Sequence, residues 1–394
     1  MTVRLLTLRD WLYIAIMIII FPPGVVQAYT ELYSFSLWIK CAVAILFFLY
    51  FILYRKTDWY INLIILFYTI QILSTLINNT DYLIESVREA LCSMAIIFAL
   101  YWIIKERKER ILADLNILLQ SYILLNFLLL LYNPEFFKGF QGSLLYQNNY
   151  FLGIKNQIAL VLAPMTAFVI IYNFRQKGRK DLWSLIIIGI SFTTEVLIDS
   201  STGFIAFAFM LFLYVIVGEK SYKIMTTKKI ISIFIIFNIA LIFLQTILSI
   251  PAIQEFIIGI LHRDVSLSNR TAIWGRALLR FKEHPVLGLG RQENKNMITF
   301  FAMNEWDHST TYSTHNVMLQ TLLESGLMGY IPLANIGLAL VKKASTNKSM
   351  FYTVTNIGIA TILISFLTEA YDLTYFFAIS SFLLFSADKY NNIL

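Results

Sequence analysis

The side chains able to do chemistry lie close together in the chain. All four histidines (His262, His284, His308, His315) fall between Pro251 and His315, with seven cations: Arg263, Arg270, Arg276, Arg280, Lys282, Arg291 and Lys295. His315 stands in the string Ser313-Thr314-His315-Asn316, directly before an apolar run. Ser313 or Thr314 can cap a helix that starts there, and a helix N-terminus disfavours the imidazolium form. Neutral imidazole at the mouth of a membrane cavity suits a general base; the plainer alternative is an interfacial histidine that caps or packs. Arg270 falls in the first turn of a helix expected from an Asn269 cap to about His284, stopped by Pro285 and the turn Gly288-Leu289-Gly290. A macrodipole disfavours a cation at that end, whereas the free N–H groups favour an anion. A guanidinium beside a helix N-terminus is a receptor for phosphate; the alternative is an ion pair with a carboxylate such as Asp264. Successive histidines are 22, 24 and 7 residues apart, which matches no metal-ligand spacing. Phosphate-cradling glycine loops are absent, so no metal and no cofactor is expected.

These residues need elements to hold them, and composition says which. The 394 residues are 58% hydrophobic, 15% aromatic and only 14% charged, with a mean hydropathy of +0.69. A soluble domain carries about 25% charged residues, so disorder, coiled coil, collagen and disulfide scaffolds are excluded. Twelve apolar segments can be marked, near 10–28, 35–54, 59–77, 82–104, 111–132, 151–174, 182–199, 203–218, 230–250, 316–341, 351–369 and 374–387. In lipid, such segments are helices, because no other partner exists for backbone N–H and C=O groups. The expected fold is an all-α polytopic membrane protein of about twelve transmembrane helices. The first segment lacks a small-residue cleavage site and does not read as a cleavable signal peptide. Cys41 and Cys92, both inside apolar runs, read as small buried hydrophobes.

Lysine and arginine set the orientation. The connections at 1–9, 55–58, 105–110, 175–181, 219–229 and 342–348, with the tail after Asp388, hold 20 of them; the short connections on the other side hold only Lys138. The first side, with both termini, is therefore cytoplasmic. That placement explains most of the +7 net charge and leaves no call for a nucleic-acid partner. The organisation expected is helices 1–9 over 1–250, an external catalytic loop over 251–315, and helices 10–12 over 316–394. Within the loop, Ile253, Phe256, Ile257, Ile260 and Leu261 form one amphipathic stripe; Ile273, Trp274, Ala277, Leu278 and Phe281 form another. Lys40, Arg88, Lys155 and Glu324 fall inside spans, where a charge usually faces a cavity or a partner. Glu195, Asp199, Glu369 and Asp372 gather at the external level and are expected to outline an outward-opening polar pocket.

The stretch from Asn269 to Gly329 resembles the O-antigen polymerase and ligase superfamily of bacterial membrane glycosyltransferases. Asn269-Arg270-Thr271-Ala272-Ile273-Trp274 is similar to its external-loop arginine followed by an aromatic. His284-Pro285-Val286-Leu287-Gly288-Leu289-Gly290 is similar to its proline and paired glycines. His315-Asn316, nine residues, then Gly326-Leu327-Met328-Gly329 fits an H-N-x9-G-x-x-G pattern, and Lys155-Asn156-Gln157-Ile158-Ala159 matches a weaker string. The resemblance implies transfer of a glycan from an undecaprenyl-pyrophosphate donor to an acceptor sugar hydroxyl, on the outer face of the cytoplasmic membrane, without nucleotide sugar or metal. By it Arg270 would hold the pyrophosphate and His315 would be the base. Arg263, Arg276, Arg280, Lys155, Arg88 and Glu369 are further candidates for binding pyrophosphate or glycan, with Trp274, Trp306 and Tyr312 as sugar-stacking aromatics. The family often carries an arginine in the turn between spans seven and eight, where this chain has Thr202 in Asp199-Ser200-Ser201-Thr202-Gly203; either another cation serves (Lys155, Arg263 or Arg276) or the donor is held differently, and Lys155 is the favoured substitute. The reading is a polymerase of lipid-linked repeat units for O-antigen (lipopolysaccharide), capsule or exopolysaccharide. Its partners would be lipid-linked donor and acceptor, membrane lipid, a chain-length regulator and a flippase. A ligase moving finished glycan to a lipid or wall acceptor is the alternative. A flippase or transporter is a different class, disfavoured because no repeated halves are visible.

Overall fold

The computed structural model describes residues 7–28, 30–54, 58–133, 149–218, 225–243, 270–293, 296–297, 313–346, 349–367, 369 and 373–385. Among them are thirteen α-helices: α1 Leu8–Ile20, α2 Thr30–Leu53, α3 Trp59–Asn78, α4 Leu83–Lys105, α5 Glu109–Tyr132, α6 Ile158–Lys177, α7 Leu182–Leu197, α8 Ser201–Ile216, α9 Thr227–Ile242, α10 Arg270–Glu283, α11 Val317–Thr346, α12 Met350–Phe366 and α13 Thr374–Phe385. The architecture is all-α, apart from a two-residue antiparallel pairing of Asn149–Tyr150 with Gly153–Ile154. Six helices are long and apolar enough to cross a membrane: α2 to α6 and α11. Helices α7, α8, α12 and α13 are apolar but shorter.

Helix α6 is the centre, buried almost all round, and α12 packs along it. Around this pair the outer helices turn apolar side chains outward, such as Trp38 and Leu46 on α2, Leu128 on α5 and Phe212 on α8. In water such a surface would aggregate; in lipid it is the solvent-facing side. At one end the basic connections are tied down. Lys105 pairs with Asp58 at 2.8 Å, Arg175 with Glu109, and Arg110 with Asp10. Lys180 reaches the carbonyls of Tyr214 (2.7 Å) and Val217 (2.6 Å) at the end of α8, where the helix dipole favours a cation.

Three expectations need correction. The first span does not run to residue 28: α1 stops at Ile20, and Pro22-Pro23 leads into a 3₁₀ turn, Gly24–Ala28. Proline lacks an N–H and drives the residue before it out of the helical region. The sixth span begins at Ile158 rather than 151, so Lys155 sits in a 3₁₀ turn ahead of the helix instead of inside it. The tenth is not one continuous helix. Gly326 (φ 58°, ψ −159°) breaks α11, and the loop after α10 takes over the freed backbone groups. Leu327 N–H donates to Pro285 O (2.9 Å), Met328 N–H to Val286 O (3.1 Å) and Leu289 N–H to Leu323 O (2.6 Å). A broken helix is tolerated at membrane depth only when its N–H and C=O groups are satisfied in this way. The closeness explains two glycines of the sequence strings: a Cβ on Gly326 would lie 2.3 Å from Val286 O, and one on Gly288 (φ 73°) would lie 2.5 Å from Leu323 O.

The two cysteines meet across α2 and α4, their sulfurs 3.9 Å apart, and both are free thiols.

Candidate functional site

Helix α10 begins at Arg270, as the sequence predicts, and its stripe is the part that packs. Ile273, Trp274 and Ala277 are buried against Leu319 and Leu323 of the first half of α11, with Leu278 and Phe281 beside them. Trp274 is only 2% exposed, and its indole N–H donates to Thr314 O at 2.9 Å. Such a ring has no face left for a sugar, so the expected stacking role is corrected: Trp274 holds the loop segment that carries His315.

On the other side of His315, Asn316 does the fixing. Its Oδ1 accepts the Leu319 N–H at 3.0 Å and so caps α11, a role expected of Ser313 or Thr314. Its Nδ2 donates to Asn238 Oδ1 on α9 (2.8 Å) and to Leu367 O after α12 (3.1 Å). Thr314 and Asn316 are fully buried. Between them His315 takes a left-handed backbone conformation, φ 49°, rare for a residue with a side chain and held only where surroundings over-determine it.

The side chains converge on Glu369. His315 Nδ1 lies 3.1 Å from Glu369 Oε2, and Arg270 Nη2 donates to Glu369 Oε1 at 2.8 Å. The Glu369 side chain is 8% exposed, the other two 24% each. A buried carboxylate needs a charge partner, and here it shares one guanidinium and one imidazole that both still reach the surface. Because a carboxylate can only accept, a neutral ring that bonds Glu369 carries its proton on Nδ1 and keeps Nε2 as the acceptor. Arg270 thus pairs with a carboxylate, Glu369, within the same cluster as the histidine; Asp264 lies outside the described residues.

The other candidates are dispersed. Lys155 reaches Asp199 at 3.3 Å, in the turn between α7 and α8 where the expected arginine is missing. Glu195, below that turn, is fully buried, and a Cβ on Gly203 would lie 1.9 Å from its carboxylate. Arg276 is half-buried on α10. Arg263, Trp306, Tyr312, Asp372 and the helix expected near 253–261 lie outside the described residues. The expected pocket of Glu195, Asp199, Glu369 and Asp372 includes a residue, Asp372, outside the described ones, and Glu195, Asp199 and Glu369 do not line the large cavity. The large cavity, about 850 Å³, opens instead among α2, α3, α4, the loop after α10 and the first half of α11. Arg88, Arg280, Lys40, Arg291, Glu89 and Glu324 line it, as does Ser313, two residues from His315. Arg291 ties its walls together: it pairs with Glu89 and lies 3.7 Å from Glu324, while its backbone N–H donates to Thr75 Oγ1 at 2.9 Å. The sequence marked Arg291 only as one of seven loop cations; no spacing rule links it to carboxylates 202 and 33 positions away.

Helices α7 to α10 and the H-N-x9-G-x-x-G segment, in this order and with this packing, form one continuous stretch of sequence. Residues 186–334 match the O-antigen ligase family. That stretch contains Arg270, His315, Asn316, Gly288 and Gly326; Glu369 lies beyond it. The match covers the stretch that carries the superfamily resemblance and supports a function of the O-antigen ligase or polymerase type in a membrane protein; members of that family are glycosyltransferase-like enzymes. No curated protein and no solved structure matches the chain.

Proposed function

We propose that the protein is a membrane glycosyltransferase that joins undecaprenyl-pyrophosphate-linked repeat units into O-antigen, capsule or exopolysaccharide at the outer face of the cytoplasmic membrane. The observation that carries this reading is the Arg270–Glu369–His315 cluster, in which one buried carboxylate orients both a base and an anion-binding cation. The acceptor hydroxyl attacks the anomeric carbon of the donor sugar and loses its proton to His315 Nε2. The anomeric C–O bond to the pyrophosphate breaks, and undecaprenyl pyrophosphate leaves with the bonding pair. Glu369 fixes the imidazole tautomer and stabilises the imidazolium as it forms. Arg270, at the N-terminus of α10, stabilises the charge developing on the leaving group. Lys155 serves where the family arginine is replaced by Thr202. A Lys155→Ala variant should lose most polymer output, and one with full output would remove Lys155 from the account.

A ligase, which moves finished glycan onto a lipid or wall acceptor, would use the same three residues, and the family description favours it. Glycan banding in a deletion strain separates the two. Loss of polymerisation leaves a single repeat unit on the final acceptor, whereas loss of ligation leaves full-length polymer on its carrier.

A further inference from the structure

The large cavity holds charges that the reaction above does not use. Lys40, on α2, is 8% exposed, and Arg88, on α4, is half-buried; both line it. Neither makes an ion pair among the described residues, and the titratable groups felt by Lys40 are the thiols of Cys41 and Cys92, not carboxylates. The two carboxylates of the cavity, Glu89 and Glu324, are already engaged by Arg291. Across the lining there are four cations against those two carboxylates. A cation buried without a counter-charge is expensive, and a chain that keeps one commonly does so for a ligand that supplies the missing charge.

The rest of the lining describes that ligand. Gln71, Asn78 and Gln292 add amide groups to the lining, bonded in turn to Glu324, Gly288 O and Leu289 O, and amide donors and acceptors are what a sugar needs. Phe21, Pro22 and Leu37 form an apolar wall where α1 ends and α2 begins, and α2 is the least buried of the long helices. Cationic, hydrogen-bonding and apolar side chains thus line one cavity. Glu369, His315 and Arg270 are not among its lining residues, though Ser313 is.

We infer that this cavity is a second lipid-diphosphate site, in which Lys40 and Arg88 hold the diphosphate of a second lipid-linked glycan while Arg270 holds the first. It rests on the proposed function, since a polymerase joins two substrates of the same chemistry. The cavity would then be the acceptor's seat, with its sugar leading past Ser313 to His315.

The test counts bound lipid by native mass spectrometry on the full chain in nanodiscs, with geranylgeranyl diphosphate as probe. Wild type should take up two copies, Lys40→Met one, and Arg270→Met one. Binding to the Lys40→Met cavity should weaken at least tenfold, and without probe this variant should melt no lower than wild type, because an uncompensated charge has been removed. Should it fail to fold, Arg88→Gln on the cavity rim carries the same test. Two copies retained in both the Lys40 and Arg88 variants would overturn the inference, as would equal occupancy by geranylgeraniol. Inorganic pyrophosphate displacing the cavity copy at the same concentration as the prenyl compound would assign the site to a free anion and overturn it too. A single copy in wild type, lost only with Arg270→Met, would sink the second site and leave the proposed function standing. No copy at all in wild type would sink both.

Discussion

Glu369 connects Arg270 and His315, on which the proposed chemistry depends, and replacing it separates their contributions. Glu369→Gln keeps the volume but removes the charge that orients His315 and offsets Arg270. Turnover should fall by about 10²–10⁴-fold, in the range of lost general-base catalysis, with no loss of folded protein. A variant within a factor of two of wild type would detach Glu369 from the mechanism. Trp274→Phe asks a different question. It leaves a buried ring but deprives Thr314 O of its donor, so turnover should drop while the apparent affinity for glycan stays constant. A sugar-stacking tryptophan would show the reverse. At this scale the sequence marked Arg270, His315 and Glu369 by type and position, yet could not show that they meet. Glu369 lies 54 residues from His315 and 99 from Arg270, and only the closing of α12 onto α9 through Asn316 brings it there.

At the scale of elements, the site depends on a loop docked into a broken helix. The first half of α11 carries His315 and Asn316 at its start and is tied at Gly326 to Pro285 and Val286. Gly326→Ala would place a Cβ 2.3 Å from a backbone oxygen and force a side chain into the left-handed region, a strain of about 1–3 kcal/mol before any clash. Its unfolding midpoint in detergent should fall and turnover with it; an unchanged midpoint would mean that the loop and helix are not coupled as described. Hydropathy finds most helices because an apolar run long enough to span is a strong local signal. It passes through Pro22-Pro23 and Gly326, where the apolar character continues but the backbone does not. The first break was written in the prolines themselves. The second was not legible, because what stabilises a helix break at Gly326 is a partner 40 residues earlier in the chain.

The whole molecule has two unlike ends, and the account requires them to face opposite sides of a membrane. One end holds Lys105–Asp58, Arg175–Glu109 and Lys180 on the end of α8; the other holds the cavity and the Glu369 cluster. Cys41 is buried and Cys92 is half-buried on the cavity wall, so both are first replaced by serine and introduced cysteines are read against no native thiol. In intact cells an impermeant maleimide should label Val286→Cys and spare Arg179→Cys, both at exposed positions. The opposite pattern would invert the topology and place the site on the wrong side for a lipid-linked glycan delivered outward.

The central claim is that Arg270 and His315, oriented by Glu369, join lipid-linked glycans. The most direct measurement is product size on a gel after purified protein in detergent meets a synthetic lipid-pyrophosphate repeat unit from the native host, with EDTA and no nucleotide sugar. A ladder of polymer is expected that is lost in both His315→Ala and Arg270→Ala while each variant remains folded. A ladder that persists in either variant would contradict the mechanism. No ladder, with intact lipid-linked unit crossing liposome membranes instead, would contradict the enzyme itself and point to a transporter.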